Sequence, residues 1–380
     1  LKGDKVVWIV VLSLSIFSFL PVYSASSNFG VNLIFSSVFK HVAIIFIGIL
    51  IMYATHLLDY KYLRGLSLII LPLAIFLLFI TAIQGSEIDG ANASRWISIP
   101  ILNISFQPSS LASNFLLIYI SNYLSKVHEK KINFNNSVFR LWLPILLVVM
   151  LVLPSNFSTS FMIFSLSLIL IFIGQYPIKK IVLIIFSGII LSGSFVGLSK
   201  TYPDLVPNRI DTWSNRIENF INPSLDNDSN YQINRAKAAI ASGSIFGVGA
   251  GKSSMKYILP QSTSDFIFSI VTEEYGLFVA LIILLLYVIL LFRIVIVSQK
   301  SNNYFGKLLA LAVGLPIVFQ ALITMGVAVQ LFPVTGQPLP LISTGGTSIW
   351  TTFFAFGVLL SVSRNNANIM ELDLSENVNE

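Results

Sequence analysis

The residue in this sequence best placed to do chemistry is Asp265. It closes a long polar interval, 199–265, and shortly precedes an apolar run, Leu277 to Val297, that is long enough to cross a bilayer. Phe266 and Phe268 lie beside it without a strongly basic neighbour, so partial desolvation should raise its proton affinity. Such a carboxylate suits a general base working near neutral pH. The alternative, which position alone favours, is an interfacial Asp that caps the following helix.

Composition places the chain in a class before any motif is considered. Of 380 residues, 55% are hydrophobic and 11% are charged, and the mean hydropathy is +0.83, which excludes an ordinary soluble domain. The sequence predicts an all-α integral membrane protein with about ten transmembrane helices. The expected spans are 6–24, 42–58, 65–83, 107–124, 138–154, 158–174, 180–198, 277–297, 308–330 and 347–363.

The distribution of Lys and Arg predicts the orientation of the chain. If both termini are cytoplasmic, the short outside loops contain only Lys40 and Arg95 as basic residues. Short loops follow the positive-inside bias, whereas long loops are exempt from it. We therefore expect both termini in the cytoplasm and one long extracytoplasmic loop, 199–265, between helices seven and eight. The net charge of +6 then reflects attraction to anionic membrane lipid and not nucleic-acid binding.

The predicted domain organisation is simple. Residues 1–364 form a single polytopic membrane domain whose first apolar run is a retained span and not a cleaved signal. The polar cytoplasmic tail, 365–380, is expected to be disordered. The chain has no cysteine and three histidines, which excludes disulfides and thiol chemistry and argues against a His-built metal site.

Two outer segments contain cations that suit an anionic group. Arg95 beside Trp96 fits an anionic headgroup or a phosphate, although a guanidinium snorkelling next to an interfacial Trp explains it equally well. The interval 232–241 has the spacing of an amphipathic helix. Its Arg235 and Lys237 are available for a lipid surface or for substrate phosphates.

Two further outer segments are rich in glycine. Residues 243–254 look like a nucleotide-binding loop, but Phe246 stands where the first glycine is required and no buried strand precedes it, so a nucleotide site is rejected. A flexible loop carrying Lys252 and Lys256 still fits a pyrophosphate-bearing lipid. The interval 332–348 has three prolines, three glycines and no charge, so it must be irregular backbone that lines protein or a water-filled cavity.

Together these segments resemble the SEDS family (shape, elongation, division and sporulation), and the resemblance covers nearly the whole chain. It rests on P-V-Y-S-A-S at 21–26, A-N-A-S-R-W at 91–96, Q-P-S at 107–109, Y-Q-I at 231–233, the 243–254 segment, D-F-I-F-S at 265–269 with E-E-Y-G at 273–276, and P-V-T-G-Q-P-L-P-L-I-S-T-G-G-T-S at 333–348. The L-P-L-I-S form at 339–343 is more similar to the cell-division member than to the elongation member.

The resemblance implies a function. The family polymerises lipid II into peptidoglycan glycan strands beside a class B penicillin-binding protein, a monofunctional transpeptidase, and with other division proteins. This implies a protein of the cytoplasmic (inner) membrane at the division septum. The family's essential acidic residue matches Asp265, so the resemblance favours the base over the cap. Asp265 would take the proton of the acceptor 4-hydroxyl, which attacks the donor's anomeric carbon with inversion as undecaprenyl pyrophosphate leaves.

The implied leaving group needs positive charge around it. The candidate substrate contacts are Arg95, Trp96, Lys252, Arg209, Arg216, Arg235, Ser343, Gly345 and Gly346. No protein-built metal site and no certain cofactor are predicted, and a divalent cation, Mg or Mn, is an option. The chain departs from the common family pattern at Ser110, Ser113, Asn156, Gln261 and Thr324, so these residues are left out of the catalytic set.

Two other functions remain open. A flippase for the lipid-linked precursor predicts polar residues at the depth of the membrane midplane, for which Asn114, Gln320 and Thr324 are candidates. A non-catalytic division scaffold predicts tolerance of substitution at Asp265. Few ionisable residues lie within the expected spans, which weakens a path for a charged pyrophosphate.

Overall fold

The computed structural model describes residues 2–26, 31–84, 97–99, 104–128, 134–188, 218, 220–221, 228–259, 262–344 and 346–379. The elements are α1 (Lys5–Phe17), α2 (Phe19–Ser26), α3 (Val31–Leu57), α4 (Leu63–Gln84), β1 (Ile97–Ile99), β2 (Ile104–Phe106), α5 (Pro108–Val127), α6 (Phe134–Ser137), α7 (Leu143–Val152), α8 (Phe157–Ile173), α9 (178–188), α10 (Asp228–Gly243), α11 (Ile267–Gln299), α12 (Tyr304–Ala328) and α13 (Gly346–Asn379). A π-helical turn, Val138–Trp142, joins α6 to α7.

The protein is a multi-pass membrane protein. Within the described ranges, six helical stretches are long and apolar enough to span a bilayer: Lys5–Ser24, Ser37–Leu57, Tyr60–Ile83, Asn135–Val152, Ile267–Gln299 and Tyr304–Ala328. α8 is a shorter apolar helix. α5 and α13 also cover expected spans, but they are more polar. The helical class is confirmed, while the count of ten spans and the orientation of the chain stay predictions.

α12 lies at the centre of the helix bundle. Of its most apolar stretch, 78% is buried inside the protein, compared with 28% for α11. α12 packs against α11, α5 and α13, while α3 packs along α13 and α4 along α5. The α3–α13 contact is close because Gly357 lies against Thr55 and Gly48 lies against the Phe353 ring, where a Cβ would overlap its neighbour. This rigid centre supports the connection that follows α12.

Asp4 fixes the N-terminal end of the bundle. Its carboxylate caps α1 by accepting hydrogen bonds from the backbone of Val6 (3.0 Å) and Val7 (3.2 Å). The same carboxylate accepts from Nε of Arg293 at 2.9 Å and from the Nη2 of that guanidinium. Because Asp4 is buried, this ion pair ties α1 firmly to the far end of α11.

Two features differ from the expected architecture. β1 and β2 form a small antiparallel ladder, with Ile97 opposite Phe106, in a segment for which no strand was predicted. The tail expected to be disordered is helical, since α13 continues to Asn379. The physical reason is that residues 365–379 contain neither Gly nor Pro, so nothing in the local sequence ends the helix.

Candidate active site

A break in α11 organises the region around Asp265. At Gly276 the backbone has φ 81° and ψ 173°, a conformation that is essentially restricted to glycine. The break divides α11 into a short first part, 267–275, and a long second part, 277–299. It also frees backbone groups that a continuous helix would pair internally, and at membrane depth these groups need other partners.

The glycine loop, residues 243–254, supplies those partners. A Cβ on Gly247 would lie 2.2 Å from the carbonyl oxygen of Glu274, so only glycine permits this close approach. The loop and the break are joined by four backbone hydrogen bonds: Val248 N to Glu273 O (2.9 Å), Gly249 N to Glu274 O (3.0 Å), Leu277 N to Ser244 O (3.0 Å) and Phe278 N to Ile245 O (3.2 Å). The loop was expected to be flexible, but it is fixed to α11.

Two adjacent carboxylates inside the protein fix the remainder of the loop. Glu273 and Glu274 are each 1% exposed. Glu273 accepts hydrogen bonds from the backbone N–H (3.1 Å) and hydroxyl (3.0 Å) of Ser254 and from the hydroxyl of Ser253. Glu274 accepts from the backbone of Ser253 at 3.3 Å and from the hydroxyl of Ser24 at the end of α2. Buried carboxylates require such donors, although Oε2 of Glu274 is buried without a hydrogen-bond partner among the described residues.

Lys256 has a different place from the one expected for it. Its side chain is 3% exposed, and Nζ donates to the carbonyl oxygens of Gly251 (2.9 Å) and Ser24 (3.2 Å). The ammonium therefore joins the loop to α2, and its expected availability for a lipid pyrophosphate is wrong. Lys252, in contrast, is exposed on the same loop.

Asp265 lies immediately before the break-bearing helix, and its side chain is partly exposed. Its neighbour Phe266 is buried with Ala236, Leu259, Ile270 and Val327. This burial anchors the main chain that follows Asp265. α11 begins at Ile267 with Phe266 at the N-cap position and without a side-chain capping bond. Asp265 therefore stands one residue before the N-cap position of α11.

The connection from α12 to α13 forms the other side of the site. The Ser343 hydroxyl donates to the Ser264 carbonyl at 2.7 Å and accepts from the Leu339 backbone at 2.8 Å. Thr344 bonds to the Thr263 carbonyl through both its backbone N–H (3.1 Å) and its hydroxyl (2.9 Å). These bonds hold the residues just before Asp265 in place.

Gly336 brings this connection directly to the carboxylate. Its φ is +65°, and a Cβ placed on it would lie 3.4 Å from Oδ2 of Asp265. A side chain at position 336 would therefore touch the carboxylate, which glycine avoids. A partly exposed carboxylate is accessible to a substrate hydroxyl, as a general base must be.

Uncharged side chains of the bundle hold the α12–α13 connection at the residues that follow Gly336. Gln320 donates to the Pro338 carbonyl at 2.8 Å, and Thr324 donates to the Gln337 carbonyl at 3.2 Å. The Gln337 side chain donates to the Thr159 hydroxyl at 3.3 Å, which extends the support to the start of α8. Gln320 and Thr324 thus serve as braces for the loop.

The structure places only some of the other predicted substrate contacts. Arg235 lies on α10 with its guanidinium carbon 5.0 Å from the Tyr231 ring centroid, and Gly346 is the first residue of α13. Ser343 is buried, and its hydroxyl is used in the two bonds described above. Five candidates lie outside the described residues: Arg95, Trp96, Arg209, Arg216 and Gly345. No group of three or more His, Asp or Glu suited to a metal occurs within the described ranges.

Comparison with known proteins decides the family. The family model described as "Cell cycle protein", FtsW/RodA/SpoVE, matches residues 4–368. The chain belongs to this family. It is 32% identical over 385 residues to the probable peptidoglycan glycosyltransferase FtsW of Enterococcus hirae, covering 95% of this chain and 93% of that protein. It is also 29% identical over 369 residues to stage V sporulation protein E of Bacillus subtilis, covering 95% and 97%.

Two solved structures have the same fold as this FtsW/RodA/SpoVE chain. One belongs to a peptidoglycan synthase complex in which polymerisation and crosslinking are coordinated, with a TM-score of 0.75, 23% identity, and coverage of 96% and 99%. The other is the rod shape determining protein RodA of Thermus thermophilus, with a TM-score of 0.67, 22% identity, and coverage of 96% and 98%.

For this FtsW/RodA/SpoVE chain, sequence reasoning gave no role to Glu273 and Glu274, although it noted the E-E-Y-G motif. A usable signal was present, because two carboxylates followed by a glycine interrupt an otherwise apolar run. Buried acids of this kind need local donors, and the serines at 253 and 254 of the glycine loop are the matching set.

Proposed function

We propose that this protein is a peptidoglycan glycosyltransferase that polymerises lipid II into glycan strands during cell division. In the proposed step, Asp265 accepts the proton of the acceptor GlcNAc 4-hydroxyl. The hydroxyl oxygen forms a bond to the anomeric carbon of the donor MurNAc, with inversion, and the bond to undecaprenyl pyrophosphate breaks. The pyrophosphate takes the electron pair of that bond. It therefore needs positive charge nearby more than it needs a proton from a general acid.

The observation that carries this proposal is the setting of Asp265. Its carboxylate is partly exposed, and a Cβ at Gly336 would lie 3.4 Å from its Oδ2. Ser343 and Thr344 hold the preceding residues from one side, and buried Phe266 anchors the other. A base held by rigid elements on both sides is pre-positioned for proton transfer, which is what general base catalysis requires. The names of the FtsW relatives support the same activity.

Lys252 and Arg235 are the cations of the described region that we assign to the pyrophosphate. Lys252 is exposed, and Arg235 is partly exposed on α10. Arg95, Arg209 and Arg216 are further candidates, with Trp96, Ser343, Gly345 and Gly346 as contacts to the remainder of the substrate. A divalent cation, Mg or Mn, is an alternative counter-charge for a pyrophosphate.

The proposed setting is the outer face of the cytoplasmic membrane at the division septum, with both termini inside. The proposed partner is a class B penicillin-binding protein, together with other division proteins. The similarity of this fold to a chain of a peptidoglycan synthase complex supports such a partnership.

Flipping of the lipid precursor is the weaker alternative. It needs polar groups free to pass a charged pyrophosphate through the bundle. Gln320 and Thr324, two of the three polar residues considered for that path, donate hydrogen bonds to the backbone at 338 and 337. Of the three, Asn114 alone would then remain to interact with a highly charged pyrophosphate.

The test is polymerisation of purified lipid II by the protein in complex with its transpeptidase. Asp265→Asn should abolish glycan polymer while leaving the complex intact, because the amide cannot accept the proton. Glu218→Gln is the matched control, since Glu218 is an exposed carboxylate well before the site in sequence, and it should retain activity. Full activity of Asp265→Asn would exclude Asp265 as base. If the unsubstituted complex binds lipid II without extending it, the flippase or the scaffold replaces the enzyme.

A further inference from the structure

An apolar tip projects from the glycine loop. It consists of Ile245, Phe246 and Val248, whose side chains are 58%, 84% and 39% exposed. None of these three side chains is needed to fix the loop, because residues 244–249 bond to α11 through the backbone alone. Large apolar side chains gathered on one turn and left uncovered mark a surface that meets another apolar phase.

The tip is rigidly presented. Gly247 has φ +82° and sits against the Glu274 carbonyl, and Gly249 has φ +107°. The Ile245 carbonyl accepts from the backbone of Phe278, and the Val248 backbone donates to Glu273. A flexible loop would fold such side chains inward, whereas these backbone bonds keep them pointing outward.

The tip is continuous with the outward face of α11. Leu277, Phe278 and Leu281 are 47%, 61% and 53% exposed, and the bond from Phe278 N to Ile245 O places this face beside the tip. The second part of α11, 277–299, rises about 34 Å at 1.5 Å per residue. That length matches a hydrocarbon core of about 30 Å, so Phe278 lies at one edge of the core. The tip therefore lies at the same depth.

We propose that the tip is seated in the lipid bilayer, with Phe246 at the boundary between hydrocarbon and headgroups. Lys252, exposed on the same loop, then lies at the level of the lipid phosphates, where a long cationic side chain is favoured. Lipid is favoured over a protein partner because the neighbouring face of α11 belongs to a membrane-spanning helix. The proposal does not depend on the catalytic role of Asp265.

The absence of cysteine from the sequence makes a direct test possible. Phe246→Cys in the full-length protein is labelled with a nitroxide and reconstituted in phosphatidylcholine–phosphatidylglycerol nanodiscs. Collision of the label with oxygen, which concentrates in lipid, is compared with collision with a water-soluble nickel chelate. Leu281→Cys on the outward face of α11 is the lipid control, and Asn234→Cys, exposed on α10, is the water control.

The label at position 246 should show an oxygen-to-nickel ratio close to that at 281 and several-fold above that at 234. A ratio equal to that at 234 would overturn the proposal. Low access to both reagents, with an immobilised label, would indicate a protein contact and would also overturn it. Ile245→Cys is the second variant, and it should give the same pattern if Phe246→Cys does not fold.

Discussion

Replacing Gly276 by alanine should disconnect the glycine loop from α11. A Cβ there would lie 2.2 Å from the Ile245 carbonyl oxygen and 2.5 Å from Gly247 N, and φ of 81° is itself unfavourable for alanine. Keeping the backbone conformation would cost about 1–3 kcal/mol in strain, before the overlap is counted. Relieving the overlap would sacrifice the four backbone hydrogen bonds of the break, about 4 kcal/mol in all. We expect the free energy of local opening to fall by about 3 kcal/mol, roughly 100-fold in the opening constant.

Hydrogen–deuterium exchange measures this quantity directly. In Gly276→Ala, the amides that donate across the break should exchange about 100-fold faster than in the unsubstituted protein. These amides belong to Val248, Gly249, Leu277 and Phe278. Gly65→Ala is the matched control, because a Cβ at this helical position meets nothing within 4 Å, and it should leave these amides unchanged. Unchanged exchange in Gly276→Ala would refute the argument that the loop depends on the glycine break.

Two further substitutions test side chains fixed by burial. Asp4→Asn should lower the free energy of unfolding by about 1.5–3 kcal/mol, because Arg293 loses its charged partner. Asp59→Asn, at a partly exposed carboxylate, should cost less than about 1 kcal/mol, and equal effects in chemical denaturation would contradict this. Lys256→Met should lower the thermal midpoint by removing a buried donor, while Lys252→Met should leave the midpoint unchanged and slow lipid II polymerisation. The reverse pattern would show that the two lysines have been assigned the wrong roles.

Local pattern was sufficient to predict the helices. Apolar runs of spanning length coincide with α3, α4, α11 and α12, because hydrophobic length is a property of the segment itself. The amphipathic interval 232–241 is likewise confirmed within α10, Asp228–Gly243. The prediction of irregular backbone after α12 also agrees with the structure, since proline and glycine act on their own neighbourhood.

The environment of the glycine loop was not predictable in the same way. Lys252 in the loop and Lys256 just after it look equivalent in sequence, yet Lys256 is buried against Ser24, a residue more than 200 positions away. The rigidity of the loop depends on Gly276 and on two glutamates that follow the loop, so it arises only when α11 breaks. The tail was predicted to be disordered from its polar composition, whereas the structure continues α13 to Asn379, through residues that include no helix breaker.

The uncharged nature of the connection beside Asp265 has a consequence for how the site responds to its surroundings. Gln320, Thr324, Ser343 and Thr344 hold this connection and the Asp265 segment through neutral hydrogen bonds, which neither ionic strength nor the titration of those four groups can switch. These four bonds should therefore hold the segment equally well at low and high salt. If the proposed function is right, a salt dependence of turnover would then report how the anionic substrate meets the exposed cations, and not a change in these bonds.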